Sequence, residues 1–407
     1  MYEDRPSSGG FAKGLVTGIV ATVIAAIIFV AVYLNSLSGG AITLESVSKL
    51  GKIDKLIEEN FYEPVDRNAL IEGMYKGLVQ GLSDKYSIYF TKEEAVKADE
   101  ATTGNFVGIG VVVAVRGDVT KKLIKTVYED SPAKDAGILR GDIFIGVDDT
   151  DVTNMSLSES VALIQGESGT PVTIKVLRDG KELSFDMLRA KVNTPSVFST
   201  MLDKGVGYLR ISEFNAETAP SFRKEMKKLQ EAGMTSVIYD LRQNPGGLVD
   251  EVLTVLDDIL PAGVLVYTVD NKGRKQAFYS DDERVIDIPS VVLVDENSAS
   301  SAEIFTGAMK DFKAATIVGK KTYGKGIVQY IYPLSDGSRI ELTTKKYLTP
   351  NGDDIHGKGI EPDIEVEYSY TGDQEALKNK YEDEYTVSDY LGDSQINKAY
   401  SILTENK

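Results

Sequence analysis

Apolar residues follow three rhythms along the chain. The first is an unbroken run. GLVTGIVATVIAAIIFVAVYL, residues 14–34, carries no charge over 21 residues, close to the ~20 that cross a bilayer as a helix. It has no polar face to set against solvent, so a buried core helix does not fit it. The run is longer than a signal-peptide core and no small-x-small cleavage site follows Leu34, which predicts a retained anchor. Arg5 and Lys13 precede it, placing a tail of residues 1–13 in the cytoplasm and the rest of the chain outside. The second rhythm is helical. Val47, Leu50, Ile53, Leu56, Ile57 and Phe61 recur at helical spacing. Pro64 interrupts, and Leu70, Met74, Leu78 and Leu82 mark a second helix. Thr91 with Glu94 reads as a capping box opening a third. This region, 41–100, offers no chemistry and reads as a packing or dimerisation element.

The third rhythm is that of strands. FVGIGVVVAV is β-rich, and PVTIKVL and ELSFDML flank the turn Arg178-Asp179-Gly180-Lys181, a hairpin signature. Between them lie SPAKDAGILRGD, residues 131–142, and the helical SLSESVALIQG. In this order residues 101–190 resemble a PDZ domain. The resemblance implies that the backbone amides of Gly108, Ile109, Gly110 and Val111 hold a peptide's terminal carboxylate. The peptide then adds as a strand, with a helix as the groove's other wall. Beyond Asn193 short apolar runs alternate with helices: GVGYLRI, APSFRKEMKKLQEAG, SVIYDLR, LVDEVLTVLDDIL, SVVLVD and SAEIFTGAMKDF. This predicts a mixed or parallel sheet layered by helices over 191–365. From 366 to 407 the chain is polar, with one helical pattern at Ile396, Ala399, Tyr400 and Leu403. The whole reads as a multidomain protein of α/β and α+β class.

Composition narrows the chemistry. A net charge of −17 argues against nucleic acid, which calls for basic patches. The absence of cysteine removes disulfides, thiolate metal sites and thiol nucleophiles. There is a single histidine, His356, in the glycine-rich loop GDDIHGKGIEP. No carboxylate/histidine cluster suggests a metal, and no cofactor is implied.

Residues 296–303, ENSASSAE, put three serines at a strand-to-helix junction, a place where hydrolases present a nucleophile. Ser300 stands at the junction, and an oxyanion beside it could use the unpaired amide of Ser301 at the helix start. Serine also caps helices well, and on local evidence capping is the simpler reading. DLRQNPGGL, residues 240–248, ends one strand and opens a helix. Gly246 and Gly247 allow close backbone approach and could supply a second oxyanion donor. A serine nucleophile needs a base. In KKTYGKGIVQ, residues 320–329, Lys325 sits between two glycines inside an otherwise strand-like stretch. A loop lysine is ordinarily a solvated charge, but one stripped of water has a lowered pKa and can act as a neutral base. Gln329 offers a carbonyl oxygen that could orient the amine without adding charge.

SASSAEI, the 25-residue step from Ser300 to Lys325, YGKGIVQ, DLRQNPGG and the late KGIEPDI together resemble the carboxyl-terminal processing peptidases, or tail-specific proteases. The order of helical region, PDZ domain, core and helical C-terminal arm matches over nearly all of 41–407. The resemblance implies a Ser-Lys serine endopeptidase on a crotonase-like core, with Ser300 as nucleophile, Lys325 as general base and Gln329 as its orienting partner. It also implies peptide substrates with free C-termini, and the helical ends make a homodimer a candidate. Two departures stand out. Many members have a small residue where this chain has Ser301, which leaves the backbone donor in place. Many also have arginine before the glycine that ends the PDZ helix, a residue tied to gating, where this chain has Gln165. Two other readings compete: a membrane-anchored PDZ protein with an inactive core, and an acyl-CoA enzyme of the crotonase class.

Overall fold

A computed structural model describes residues 8–37, 40–115, 121–281, 283, 285–374, 377 and 385–405. Arg5 and most of the expected cytoplasmic tail lie outside the described residues, as does part of the C-terminal segment. The chain divides into two units, residues 1–75 and 76–407.

The first unit holds the apolar run as one helix, α1 (Ser8–Leu37), in which none of Lys13–Tyr33 is buried. α2 (Leu44–Asn60) starts at Thr43, whose hydroxyl accepts the Ser46 N–H at 3.1 Å. Pro64 lies in the connection to α3 (Arg67–Gln80), where Asp66 takes the N–H groups of Asn68 and Ala69 at 2.9 and 3.1 Å. These capping bonds satisfy donors that a helix start leaves orphaned.

In the second unit β1 (Ile88–Phe90) precedes α4 (Lys92–Thr103), which the Thr91–Glu94 capping box opens as expected. There follow β2 (Asn105–Gly108), β3 (Val111–Val115), β4 (Lys122–Val127), α5 (Pro132–Ala136), β5 (Ile143–Val147), β6 (Thr150–Asp151), α6 (Leu157–Ile164), β7 (Pro171–Arg178), β8 (Lys181–Leu188) and β9 (Ala190–Asn193). β2 and β9 pair at the module's neck. The rest form an antiparallel sheet in the order β3-β4-β5-β7-β8, with β6 on β5. Asp179 and Gly180 both take positive φ, 51° and 75°, as the two-residue hairpin turn requires. Ile124, Phe144, Ile174 and Val176 fill its core. β3 lies at the sheet edge and α6 packs beside it, which leaves a groove between strand and helix.

The remainder comprises β10 (Val197–Met201), β11 (Val206–Ile211), α7 (Thr218–Glu231), β12 (Ser236–Asp240), α8 (Val249–Asp257), β13 (Gly263–Asp270), β14 (Lys275–Ser280), β15 (Ser290–Val294), α9 (Ser301–Asp311), β16 (Thr316–Gly319), β17 (Ile327–Pro333), β18 (Arg339–Leu348), β19 (Ile364–Glu365), α10 (Val387–Leu391) and α11 (Ser394–Glu405). Six strands form one sheet, β10-β11-β12-β15-β16-β19, parallel except for β10. β12 and β15 are buried at every position, which is why they read as apolar runs rather than alternating ones. α7, α8 and α9 cover one face through Phe222, Leu256, Phe305 and Met309. α11 covers the other: Ile396, Ala399 and Leu403 lie on Ile238, Val291 and Val318. At about 1.5–3 kcal/mol for a fully buried aliphatic side chain, this helix is a layer of the core. A second sheet, β1-β18-β13-β14 with β17 also on β18, was not foreseen beyond a strand-like stretch near Lys325.

Candidate active site

The strand-to-helix junction of β15 and α9 sorts the three serines. Ser298 is buried, accepts the Asp295 N–H at 2.9 Å and donates to the Leu241 carbonyl at 2.8 Å. Ser301 is buried and donates to the Gly247 carbonyl at 2.9 Å. Both hydroxyls are committed to backbone. Ser300 is half-buried and adopts φ 54°, ψ −115°, a region that non-glycine residues enter only under strong constraint. The Glu303 N–H bonds the Ser300 carbonyl at 2.8 Å, so backbone serves that donor. The turn presents Ser300 as a nucleophile elbow does.

Glu303, which the sequence reading passed over, supplies the constraint. Its side chain is fully buried in the first turn of α9, where the helix dipole favours negative charge. One oxygen accepts the Thr322 hydroxyl at 2.6 Å and the Gly324 N–H at 2.7 Å. The other accepts the N–H groups of Ser300 at 2.9 Å and Lys325 at 2.8 Å. A single carboxylate therefore ties the serine's turn to the lysine's loop. The signal was present: Ser300-x-x-Glu303 has the capping-box spacing that identified Thr91 and Glu94. Tyr347 on β18 adds a second tie. Its buried hydroxyl lies 2.8 Å from the carbonyls of both Ser300 and Lys325. Burial pushes its pKa well above the usual tyrosine value, so it stays protonated and donates.

Lys325 is half-buried, and desolvation holds its pKa below the usual 10.5. Glu341, Tyr323 and Asp84 oppose that shift through their charges, and Lys85 reinforces it. Among the described residues the amine makes no hydrogen bond or ion pair, and it lies 4.9 Å from the centre of the Tyr86 ring. The Gln329 amide nitrogen donates to the Tyr86 carbonyl. No hydrogen bond joins Gln329 to Lys325 among the described residues, but this orientation leaves the amide oxygen available as an acceptor. The segment before β1, read as without chemistry, thus supplies Tyr86 and Lys85 to the rim of the site.

The glycine turn requires one correction. Gly246 was expected to donate to an oxyanion, but its N–H is taken by Asn244 Oδ1 at 2.8 Å. Its role is space: at φ 103° a Cβ would stand 2.7 Å from the Ser300 Cβ. The N–H groups of Gly247 and Ser301 have no partner among the described residues, and the Ser301–Gly247 bond holds the two residues together. They form a donor pair of the kind that binds an oxyanion. His356 is exposed, its ring 6.3 Å from that of Tyr86. No group of three or more His, Asp or Glu among the described residues is placed to hold a metal.

In the β-rich module Gly108 closes β2 and Val111 opens β3. The Ile109 and Gly110 carbonyls accept the Ala133 and Tyr128 N–H groups, each at 2.9 Å. Gly110 has φ 81°, and a Cβ there would meet Ser131 at 2.2 Å. The Ile109 and Gly110 N–H groups make no hydrogen bond among the described residues, which leaves donors for a carboxylate. Gln165 is exposed at the end of α6. There the guanidinium of Arg189 donates to the Ile164 and Leu163 carbonyls at 2.7 and 3.0 Å.

Residues 205–366 match peptidase family S41, residues 123–178 a PDZ domain, and residues 33–94 the N-terminal domain of the activating protease CtpB. The carboxy-terminal processing protease CtpA of Bacillus subtilis (strain 168) is 35% identical over 322 residues, 78% of this chain and 68% of that protein. CtpB of the same organism is 34% identical over 328 residues, 79% of this chain and 68% of the relative. A solved structure assigned to the S41 proteases of Bacteroides fragilis NCTC 9343 aligns with TM-score 0.53 and 16% identity over 86% of this chain and 92% of that one. At that identity the likeness shows a shared fold.

Proposed function

The chain belongs to the carboxy-terminal processing serine proteases of peptidase family S41 and carries a PDZ domain, and from that premise we propose a membrane-anchored Ser-Lys endopeptidase that selects protein C-termini. Ser300 Oγ attacks the scissile carbonyl while the neutral amine of Lys325 takes its proton. The carbonyl oxygen becomes an oxyanion held by the N–H groups of Ser301 and Gly247. Gln329 steadies the resulting ammonium through its amide oxygen. Collapse breaks the C–N bond, the Lys325 ammonium protonates the departing amine, and an acyl-Ser300 remains. A water deprotonated by the same amine attacks the ester, the oxyanion forms again, and the ammonium returns its proton to Ser300. The strongest support is electrostatic: Lys325 is held below its usual pKa by desolvation and has no ion-pair partner among the described residues.

The PDZ module would take a substrate's terminal carboxylate on the amides from Gly108 to Val111, with the tail beside β3. We assign α1 as a single-pass anchor with the catalytic part extracytoplasmic. A second copy is a further candidate partner, since α2 leaves Val47, Leu50, Ile53 and Leu56 exposed. The test is digestion of an unfolded polypeptide by the full chain in detergent, with products mapped by mass spectrometry. Cleavage that disappears in Ser300→Ala and persists in Ser298→Ala supports the reading, and an active Ser300→Ala overturns it. Matched free-acid and amidated peptides at low concentration test capture: equal rates would remove the PDZ from substrate selection.

A further inference from the structure

We propose that the outer edge of β17 is a docking strand for an extended apolar stretch of the substrate, a reading that rests on the Ser300–Lys325 site proposed above. β17 pairs with β18 alone. Its register with β18 shifts between Val328 and Gln329 and then runs regularly to Pro333. Among the described residues, no backbone hydrogen bond reaches the other edge of this stretch. Tyr330, Ile331, Tyr332 and Leu334 are 50, 46, 46 and 42% exposed. The sequence from Gly326 to Ser335 contains no charge. Proteins ordinarily blunt such an edge with charged side chains or cover it, because it invites another strand. Here the strand puts its own apolar side chains on both faces. Tyr330 and Tyr332 share one, with ring centres 6.5 Å apart, and Ile331 lies on the other because side chains alternate along a strand. Glu341 pairs with Ile331 and Lys345 Nζ lies 5.5 Å from the Tyr330 ring centre, while the register shift and Pro333 stand at the two ends of the exposed stretch.

The strand's origin identifies its occupant. β17 leaves directly from the loop that carries Lys325, and Gln329 near its start reaches Tyr86 beside the lysine amine. A chain paired along β17 therefore has one end at the catalytic pair. At about 3.3 Å per residue, Tyr330 to Tyr332 lie roughly 16–23 Å along the strand from Lys325. That corresponds to substrate positions about five to seven residues from the scissile bond. Main-chain hydrogen bonds would make this recognition tolerant of sequence, with alternate apolar side chains of the substrate packing on the tyrosines. A second copy of the chain is the other candidate for a free edge, but its net charge of −17 opposes close pairing.

The experiment uses the full chain in detergent and peptides built outward from one mapped cleavage site, residue by residue on each side. Extension beyond about five residues on one side should raise kcat/KM about tenfold, mainly by lowering KM. N-methylation of alternate backbone nitrogens in that stretch should reverse the gain. The triple variant Tyr330→Ser/Ile331→Ser/Tyr332→Ser should lose the gain for long peptides, cut short ones at the parental rate, and react with a fluorophosphonate at Ser300 as fast as the parent. Normal labelling of Ser300, with KM indifferent to length, N-methylation and the triple substitution, overturns the docking strand alone. No labelling and no cleavage by the parent overturns the serine mechanism and the docking strand together. A parent that sediments as a larger species than the triple variant gives the edge to a second copy and also overturns the proposal.

Discussion

Glu303→Gln tests whether one buried carboxylate sets the register between nucleophile and base. Oε1 serves Thr322 and Gly324, and Oε2 serves Ser300 and Lys325. Glutamine keeps the shape and one acceptor oxygen, but in either orientation its NH₂ faces two donors. Charge-assisted hydrogen bonds contribute about 1.5–3 kcal/mol each, so losing two removes roughly 3–6 kcal/mol. Relaxation recovers some of this, and part falls on folding, whose total for a domain is only about 5–15 kcal/mol. If half reaches the transition state, about 1.5–3 kcal/mol, kcat drops roughly ten- to hundredfold. KM should change little, because the Glu303 side chain is fully buried and offers no surface to a peptide. The assay is kcat and KM on a fluorogenic peptide well below the melting temperature of each protein, with melting curves alongside. Thr322→Val is the milder comparison: it removes one of the four donors, and the acceptor of the Ile360 N–H at 2.7 Å. With one charge-assisted bond of about 1.5–3 kcal/mol halved in the same way, it should cost roughly three- to twelvefold in kcat, less than Glu303→Gln. A Glu303→Gln protein that melts lower but turns over at the parental rate refutes the reasoning, since the carboxylate would then support the fold without setting the site.

The remaining predictions concern charge and space at the same site. The proposed mechanism requires the neutral amine of Lys325, so the rate should rise with pH and level off below the usual lysine value of 10.5, because desolvation lowers this pKa. Lys325→Arg should be as inactive as Lys325→Ala throughout, since guanidinium does not deprotonate, and measurable turnover by it would reassign the base. Glu341 is the first of the charges that hold the ammonium form in place. Glu341→Gln should therefore move the midpoint of the rising limb to lower pH, and a shift to higher pH contradicts the assignment. Gly247→Ala should cut kcat at least a hundredfold and lower the melting temperature. At φ 136° the new Cβ would stand 2.1 Å from the Phe214 carbonyl oxygen and would displace the donor, so parental kcat would show that the Gly247 N–H is not used.

The layered sheet was legible because its residues obey one rule each. β12 and β15 are enclosed on both faces and so appear as short apolar runs, α7 carries its burial on one helical stripe, and α9 is buried at every position from Ser301 to Met309. The second sheet was not. β13, β14, β17 and β18 are partly exposed and irregular in register, so Tyr330-Ile331-Tyr332 follows neither clean alternation nor full burial. The polar C-terminal stretch hid a core layer for a related reason. Ile396, Ala399 and Leu403 are the apolar side of a helix whose other side is solvated, and only the sheet beneath shows what they cover.

At the site, the residues that touch the reaction were easier to find than those that place them. The roles proposed for Ser300, Lys325 and Gly247 rest on groups whose chemistry is visible in the residue type. Glu303 acts through hydrogen bonds to backbone N–H groups that any residue at positions 324 and 325 would offer, so their identity says nothing of the contact. Gly246 shows the converse. Its type suggested an available amide, yet a side chain two residues away, Asn244, takes that amide. A glycine beside a nucleophile can thus serve by lacking a Cβ or by donating its N–H, and only the position of the neighbouring polar side chain separates the two. Gly246 and Gly247 differ in this way: the first makes room for Ser300, while the N–H of the second has no partner among the described residues and its carbonyl accepts the Ser301 hydroxyl.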